Sequence, residues 1–205
     1  MRLAHAAVIG LFLVLAASQA SAQDEFPRAE LSGGYQFLRT NGGTDHSTFP
    51  LGWYADLSWR LTDYTSVVLQ GGGSVESIDE HISTGTPRTV LGDVIVRQFM
   101  AGLRYGGSGG GTVSPFVQLL VGGVNVWDDV TVVPDGTTYT RQDYWVTRFG
   151  AQVGGGVSVR LIGRLGVRAD AAYMKILTDE KTDHIRGFVG TGNSLRAGAG
   201  LVVWF

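Results

Sequence analysis

The feature that most constrains this chain is an alternation of apolar and polar residues with a period of two. Successive side chains of a β-strand point to opposite faces of the sheet, so this alternation predicts strands with two chemically different faces. The pattern recurs in eight segments of the 205-residue sequence. The segments begin near Ala29, Leu51, Ser66, Ile95, Phe116, Trp145, Leu165 and Leu195.

The two faces of these segments differ in the same way each time. Odd-numbered positions are mostly apolar, and even-numbered positions carry nearly all the charges. A tilted strand needs about 9–11 residues to cross a bilayer, and an even number of antiparallel strands closes the sheet without leaving an edge in lipid. The sequence therefore predicts a closed, eight-stranded, antiparallel up-and-down transmembrane β-barrel with odd-numbered residues facing lipid.

The even-numbered charges are candidates for an interior polar network. In a narrow barrel they would pair with one another and fill the lumen. We expect an acid at position 56 or 170 to pair with an arginine at position 168 or 196. The candidates are Asp56, Arg60, Arg104, Arg148, Arg168, Asp170 and Arg196.

One charge breaks the outward pattern. Arg97 falls on the lipid-facing parity of the fourth segment, between Ile95 and Phe99. Two alternatives follow. Either Arg97 lies at the outer interface, where it contacts lipopolysaccharide phosphates, or a β-bulge turns it inward.

The amino terminus predicts export. Arg2 precedes an apolar stretch from Ala6 to Ala17, and Ala20-Ser21-Ala22 follows as a small-residue cleavage site. This order is typical of a signal peptide. We expect residues 1–22 to be the signal peptide and residues 23–205 to be the barrel domain.

Composition gives no support for nucleic-acid binding and is compatible with a barrel. The formal net charge is −2, which gives no electrostatic reason to expect nucleic acid as a partner. The chain has no cysteine and 31 glycines. Glycine allows strands to bend and side chains to fit a narrow interior.

The connections between the segments alternate in length. The short ones follow Leu61, Tyr105 and Leu161, and the predicted long polar loops are residues 39–50, 77–89, 127–142 and 177–192. Short periplasmic turns and long outer loops are typical of outer-membrane barrels. We expect aromatic girdles at both rims, with Tyr64, Tyr105 and Phe205 on the periplasmic side and Trp53, Trp145 and Tyr173 on the outer side.

Two other interpretations compete with a lipid-embedded barrel without catalytic activity. A lipocalin-like barrel also has eight strands, but its apolar face surrounds a ligand. An enzyme would need catalytic groups, and His46, His81 and His184 each lie beside an acid in a predicted outer loop. Solvated loop tips commonly carry such residues, so we expect no catalytic residue, cofactor or metal.

The chain from about Pro27 resembles the small eight-stranded bacterial outer-membrane barrels of the type found in outer-membrane proteins A and X. The matching features are Ala20-Ser21-Ala22, the strand end from Met100 to Tyr105, the Arg168-x-Asp170 pair and the terminal Val202-Val203-Trp204-Phe205. In that family the assembly machinery recognises a terminal aromatic residue with alternate apolar residues before it. These positions correspond to Phe205, Val203 and Leu201.

The resemblance implies a monomer in the outer membrane of a Gram-negative bacterium, in contact with outer-membrane lipid, lipopolysaccharide and the assembly machinery. It implies a non-enzymatic role in structure, membrane integrity or surface interaction through the outer loops. A narrow channel for small or apolar solutes is the alternative, and a lipid-modifying enzyme is a further one.

Overall fold

The computed structural model of the chain describes residues 27–42, 45–82, 88–106, 111–134, 140–177 and 193–205. No helix in these ranges is long and apolar enough to cross a membrane. The regular elements are the strands β1 (Ala29–Gly42), β2 (Asp45–Phe49), β3 (Leu51–Arg60), β4 (Thr65–Ile82), β5 (Arg88–Gly106), β6 (Val113–Pro134), β7 (Thr140–Ile162), β8 (Leu165–Leu177) and β9 (Asn193–Trp204).

The strands form one closed antiparallel barrel. Each long strand pairs with its neighbour in the chain, and β1 pairs with β9 from Glu30↔Trp204 to Asn41↔Asn193. This pairing gives the backbone groups of the first and last strands partners, which a sheet in lipid requires. The predicted eight-stranded closed barrel is confirmed.

The short strand β2 is an addition to the prediction. It continues β3 across Pro50, and both strands pair with β1. The register shifts by one residue near Pro50. Between the pairs Tyr35↔Trp53 and Leu38↔Phe49, β1 has two residues and the opposite segment has three. An extra residue of this kind changes which odd- or even-numbered side chains point inward. Phe49 is therefore fully buried inside the barrel, while Leu51 faces outward.

The stagger of the strands follows from one row of paired residues. Paired residues can be followed from strand to strand around the barrel, starting at Glu30 of β1. The path comes back to β1 at Thr40, so the strands are staggered by ten residues in total. With strands about 4.8 Å apart and a rise of about 3.3 Å per residue, this stagger corresponds to a tilt of about 40°. Each residue along a strand then gains about 2.5 Å of height. Between these two positions the row passes through Ser58, Val68, Gly102, Leu120, Gln152, Met174 and Ser194.

The prediction of three of the four long loops is wrong, because residues at both ends of each loop belong to strands. Residues 39–42 and 45–49 belong to β1 and β2, and residues 77–82 and 88–89 belong to β4 and β5. Likewise, residues 127–134 and 140–142 lie in β6 and β7. In the fourth loop, only Leu177 falls within the described residues.

The alternation of faces is regular in the wall of the barrel. All 13 residues of β8 alternate between exposed and buried, with odd-numbered residues exposed. The interior, however, is not polar throughout. A cluster of buried apolar side chains lies mainly in its outer half: Leu38, Phe49, Val68, Val94, Val96, Met100, Leu120, Val124, Val126, Met174 and Ile176.

The interior glycine Gly102 gives a test of this packing. A β-carbon at Gly102 would overlap the backbone carbonyl of Leu119, whereas one at the lipid-facing Gly71 would meet only the Phe99 ring, at 3.6 Å. We expect Gly102→Ala to lower the free energy of unfolding by about 1–3 kcal/mol, because the backbone must shift. Gly71→Ala is the control, with a change within about 0.5 kcal/mol. Urea unfolding in lipid vesicles measures both, and equal losses would contradict the close approach at Gly102.

Candidate functional site: an ionic core and a ring of lipid-facing cations

The half of the barrel interior next to the short turns, which lie on the periplasmic side in barrels of this kind, holds two acids and two arginines. They are here called the ionic core: Glu30, Asp56, Arg104 and Arg168. Arg104 lies 2.5 Å from a Glu30 oxygen and 3.2 Å from an Asp56 oxygen. Arg168 lies 3.1 Å from Asp56 and also forms an ion pair with Glu30. Because β1, β3, β5 and β8 each contribute one member, the core ties strands together across the lumen.

The remaining polar atoms around Arg104 and Arg168 also find partners. Arg104 donates to the Gln118 Oε1 atom at 2.9 and 3.2 Å, and Arg168 donates to the hydroxyl of Ser158 at 3.0 Å. The Phe116 ring lies 4.5 Å from the Arg104 guanidinium and 4.8 Å from that of Arg168. Buried charges are tolerated when they are paired and hydrogen-bonded in this way.

A second ion pair lies nearer the outer side of the barrel. Arg196 pairs with Asp170, and its guanidinium stands over the Tyr54 ring at 5.2 Å. Arg196 and Asp170 are 2% and 8% exposed, respectively. The second pair therefore adds a further layer of paired charge to the interior.

Glutamines complete the polar part of the interior. Gln98 donates to Gln36 at 3.3 Å, and Gln152 donates to Gln70 at 3.1 Å. At the periplasmic mouth, a cavity of about 10 Å³ lies beside Glu30 and Arg104. That volume holds about one water molecule.

The structure brings together five of the seven residues predicted for the interior network, which form the ion pairs described above. Arg60 is half-buried at the periplasmic mouth, and Arg148 is half-buried near the outer end of the interior. Glu30 was missed as a candidate, although its even-numbered position placed it on the interior face. It accepts from both Arg104 and Arg168, and from the Trp204 indole at 3.0 Å.

Arg97 points outward. Its side chain is exposed, and its guanidinium lies 5.7 Å from the Trp127 ring. The pairing of β5 with both neighbours runs without a register shift at this position, so no bulge turns the residue inward. Its cross-strand partner Asn125 donates to Thr147 at 3.0 Å, which extends a polar row across three strands.

Three exposed cations lie at one height on the lipid-facing wall: Arg39, Arg97 and Lys175. We call them the cation ring. From the strand register and tilt, their α-carbons agree in height to about 1–2 Å and lie about 23 Å above the level of Tyr64 and Tyr105. An outer-membrane barrel has an apolar band about 25 Å tall, so the cation ring marks the outer interface.

The aromatic residues define the same band. Tyr64 and Tyr105 form one contact at the periplasmic rim, with ring centroids 6.1 Å apart. Trp53 and Tyr173 lie about 6 Å below the cation ring, as expected for an outer girdle. Trp145 lies about 11 Å above the ring, on the predicted outer side but beyond the girdle that Trp53 and Tyr173 form.

The residues of the predicted assembly signal lie together at the periplasmic end. Leu201 is 58% exposed on the lipid-facing wall, and Val203 and Phe205 are half-exposed on the same side. The Phe205 backbone N–H donates to Ala29 at 2.8 Å, which joins the two ends of the barrel domain.

The three histidines considered as catalytic candidates form no described site. His184 lies outside the described residues, and for His46 and His81 the structure describes the backbone but not the side chains. Within the described part of the chain, no group of three or more metal-ligating side chains comes together.

A closed barrel with a lipid-facing apolar band and a filled interior defines an outer-membrane β-barrel. The chain belongs to the outer membrane protein beta-barrel domain family, whose model matches residues 8–201. The protein is accordingly a β-barrel protein of the outer membrane. A search of curated proteins found no match.

Solved structures share this fold at low sequence identity. Ail, the attachment invasion locus protein of Yersinia pestis, is 15% identical with a TM-score of 0.58, covering 88% of this chain and 100% of Ail. Neisserial surface protein A is also 15% identical with a TM-score of 0.58, covering 86% and 97% of the two chains. A major outer membrane protein of Thermus thermophilus is 14% identical with a TM-score of 0.56, covering 86% and 99%.

Arg168 tests the contribution of the ionic core. We expect Arg168→Met to lower the free energy of unfolding by about 3–5 kcal/mol, because Glu30 and Asp56 would keep buried charge with one arginine instead of two. Arg164→Met, in the exposed turn before β8, is the control, with a change below about 0.5 kcal/mol. Urea unfolding followed by tryptophan fluorescence measures both. A loss at Arg168 no larger than at Arg164 would contradict the role of the ionic core.

Proposed function

We propose that this chain is a non-enzymatic outer-membrane barrel that binds partners at the cell surface. The observation that carries the proposal is a four-stranded extension of β4–β7 beyond the cation ring, here called the protruding sheet. It comprises residues 76–82, 88–95, 127–134 and 140–147. The tops of β6 and β7 lie about 25 Å above the ring, and this height supports a position of the sheet outside the membrane.

Both edges of the protruding sheet lack a second ladder among the described residues, β4 above Val75 and β7 above Phe149. The β4 edge is the more acidic of the two. The ladder between β3 and β4 ends at Leu51↔Val75, while β4 continues to Ile82 and stays paired with β5. Residues 76–82 therefore have no ladder on their second side among the described residues. A free edge of this kind can accept an extended segment of another chain by strand addition.

The charge of the protruding sheet favours a basic partner. Its four ranges contain seven acidic residues and two arginines, Arg88 and Arg141. Three of the acids, Glu76, Asp79 and Glu80, lie on the β4 edge itself. Complementary charge speeds association and fixes register at such a surface. We therefore propose that the partner is an extended basic segment of a protein.

The filled interior supports this role over a narrow channel. The ionic core, the Asp170–Arg196 pair and the apolar cluster occupy successive levels of the lumen, and the cavity at the periplasmic mouth holds about one water molecule. Function then rests on the outer surfaces of the barrel.

A synthetic peptide tests strand addition. We expect a ten-residue peptide of alternating lysine and valine to bind the barrel in nanodiscs, measured by biolayer interferometry. Asp79→Lys/Glu80→Lys should weaken binding by about tenfold, because it reverses the charge at the edge. Asp128→Lys/Asp129→Lys is the control, since it makes the same change in net charge on β6, which is paired on both sides.

A second peptide tests how much the backbone hydrogen bonds contribute to binding. The same sequence with N-methylated alternate residues cannot form a full strand ladder, and we expect its binding to be lost. Equal binding of the methylated peptide, or no binding of either peptide, would contradict the proposed edge.

We also propose that Arg97 contacts lipopolysaccharide phosphates. Its outward direction and its level in the cation ring support this contact. Arg97→Leu should lower the free energy of unfolding by about 1 kcal/mol more in vesicles containing lipopolysaccharide than in phosphatidylcholine vesicles. Arg164→Leu, at the periplasmic end, should change the free energy of unfolding by the same amount in both vesicle types. An Arg97 effect that is the same in the two vesicle types would refute the contact.

Two further proposals concern export. Residues 1–22 are removed as a signal peptide, and Leu201, Val203 and Phe205 are recognised by the assembly machinery as the barrel closes. The common position of these three residues at the periplasmic end supports the second proposal. We expect the mature protein to be a monomer.

A further inference from the structure

The lipid-facing wall carries a recess of about 500 Å³ across β7, β8, β9 and β1. Its floor is formed by Ala171 and Ala197, which are cross-strand partners. Small side chains at both positions leave a depression between larger neighbours. The surrounding apolar side chains are Phe37, Val153, Tyr173 and Leu195.

The recess lies in the outer half of the apolar band. Ala171 is about 10 Å below the cation ring, and Leu195 is about 2 Å below it. Arg39 lines the upper rim of the recess, beside its cross-strand partner Leu195. Lys175 stands two residues above Tyr173 on β8. Both cations are exposed, so two positive charges border the open top of an apolar recess.

We propose that this recess binds one acyl chain of lipid A, the lipid portion of lipopolysaccharide, and that Arg39 and Lys175 bind its phosphates. Pockets for small ligands typically have volumes of about 300–1,000 Å³ and are mostly apolar with a few polar groups. An acyl chain with an anionic headgroup above it matches both the shape and the charge of the recess.

The spacing of the cations favours lipid A over a phospholipid. The α-carbons of Arg39 and Lys175 are separated by two strand spacings and two residues of rise, a distance of about 12 Å. Lipid A has a phosphate at each end of its sugar headgroup, whereas a phospholipid has one phosphate next to its chains. The level of the cations also corresponds to the outer leaflet. This binding does not depend on the proposed function of the protruding sheet.

Native mass spectrometry of the refolded full mature chain tests the recess. Purified lipid A is titrated against the barrel in detergent, and folding is checked by the heat-dependent shift of barrel mobility on a gel. Ala171→Leu should weaken lipid A binding by about tenfold or more, because its side chain fills the recess. Ala101→Leu is the matched control. It is a lipid-facing alanine at the same height on β5, outside the recess, and it should bind as the original protein does.

The charge variants give an independent measurement. Arg39→Gln/Lys175→Gln should also weaken lipid A binding by about tenfold, while Arg164→Gln should leave it unchanged. The original protein should bind lipid A at least about tenfold more tightly than phosphatidylglycerol.

Several results would overturn the proposal. One is unchanged lipid A binding in both Ala171→Leu and the charge variants. Another is equal binding of phosphatidylglycerol, which would make a phospholipid the occupant. A dimer that disappears only in Ala171→Leu would make a second copy of the chain the occupant.

Discussion

Closure of the sheet between β1 and β9 is the constraint on which the rest of this structure depends. In lipid, every backbone N–H and C=O needs a partner within the protein. The pairing from Glu30↔Trp204 to Asn41↔Asn193 supplies those partners between the first and last strands. Eight strands with a stagger of ten residues then set the tilt, the width of the lumen and the height of every side chain on the wall. The common height of Arg39, Arg97 and Lys175 follows from that register, although they lie on three separate strands.

A lumen this narrow must be filled by side chains. Two carboxylates and two guanidiniums of the ionic core balance one another, and each arginine contacts both acids. Such an arrangement is costly to disrupt, because removal of one partner leaves charge in a medium that solvates it poorly. Above it the apolar cluster excludes water by packing alone. Ion pairing and apolar packing together fill the interior. The outer wall and the protruding sheet are therefore the surfaces left for interactions.

The wall of the barrel could be predicted from the sequence because lipid imposes a period of two. The odd or even number of a residue was enough to predict its face. It assigned Asp56 and Arg168 to the interior and Arg97 to the lipid-facing wall, as in the structure. Beyond the membrane that constraint ends, and the outer parts of β4–β7 carry polar residues on both faces, a pattern that predicts loops. The inward turn of Phe49 depends on the bulge at Pro50, which changes parity locally. Parity also placed Glu30 on the interior face, but only the strand register shows that it shares Arg104 and Arg168 with Asp56.

Conductance across a planar bilayer tests the filled interior most directly. We expect the refolded barrel to give no steady current in symmetric salt. Arg168→Met should give no steady current either, because the apolar cluster still closes the outer half of the lumen. A stable, reproducible single-channel current from the original sequence would contradict the filled interior and would support a channel instead.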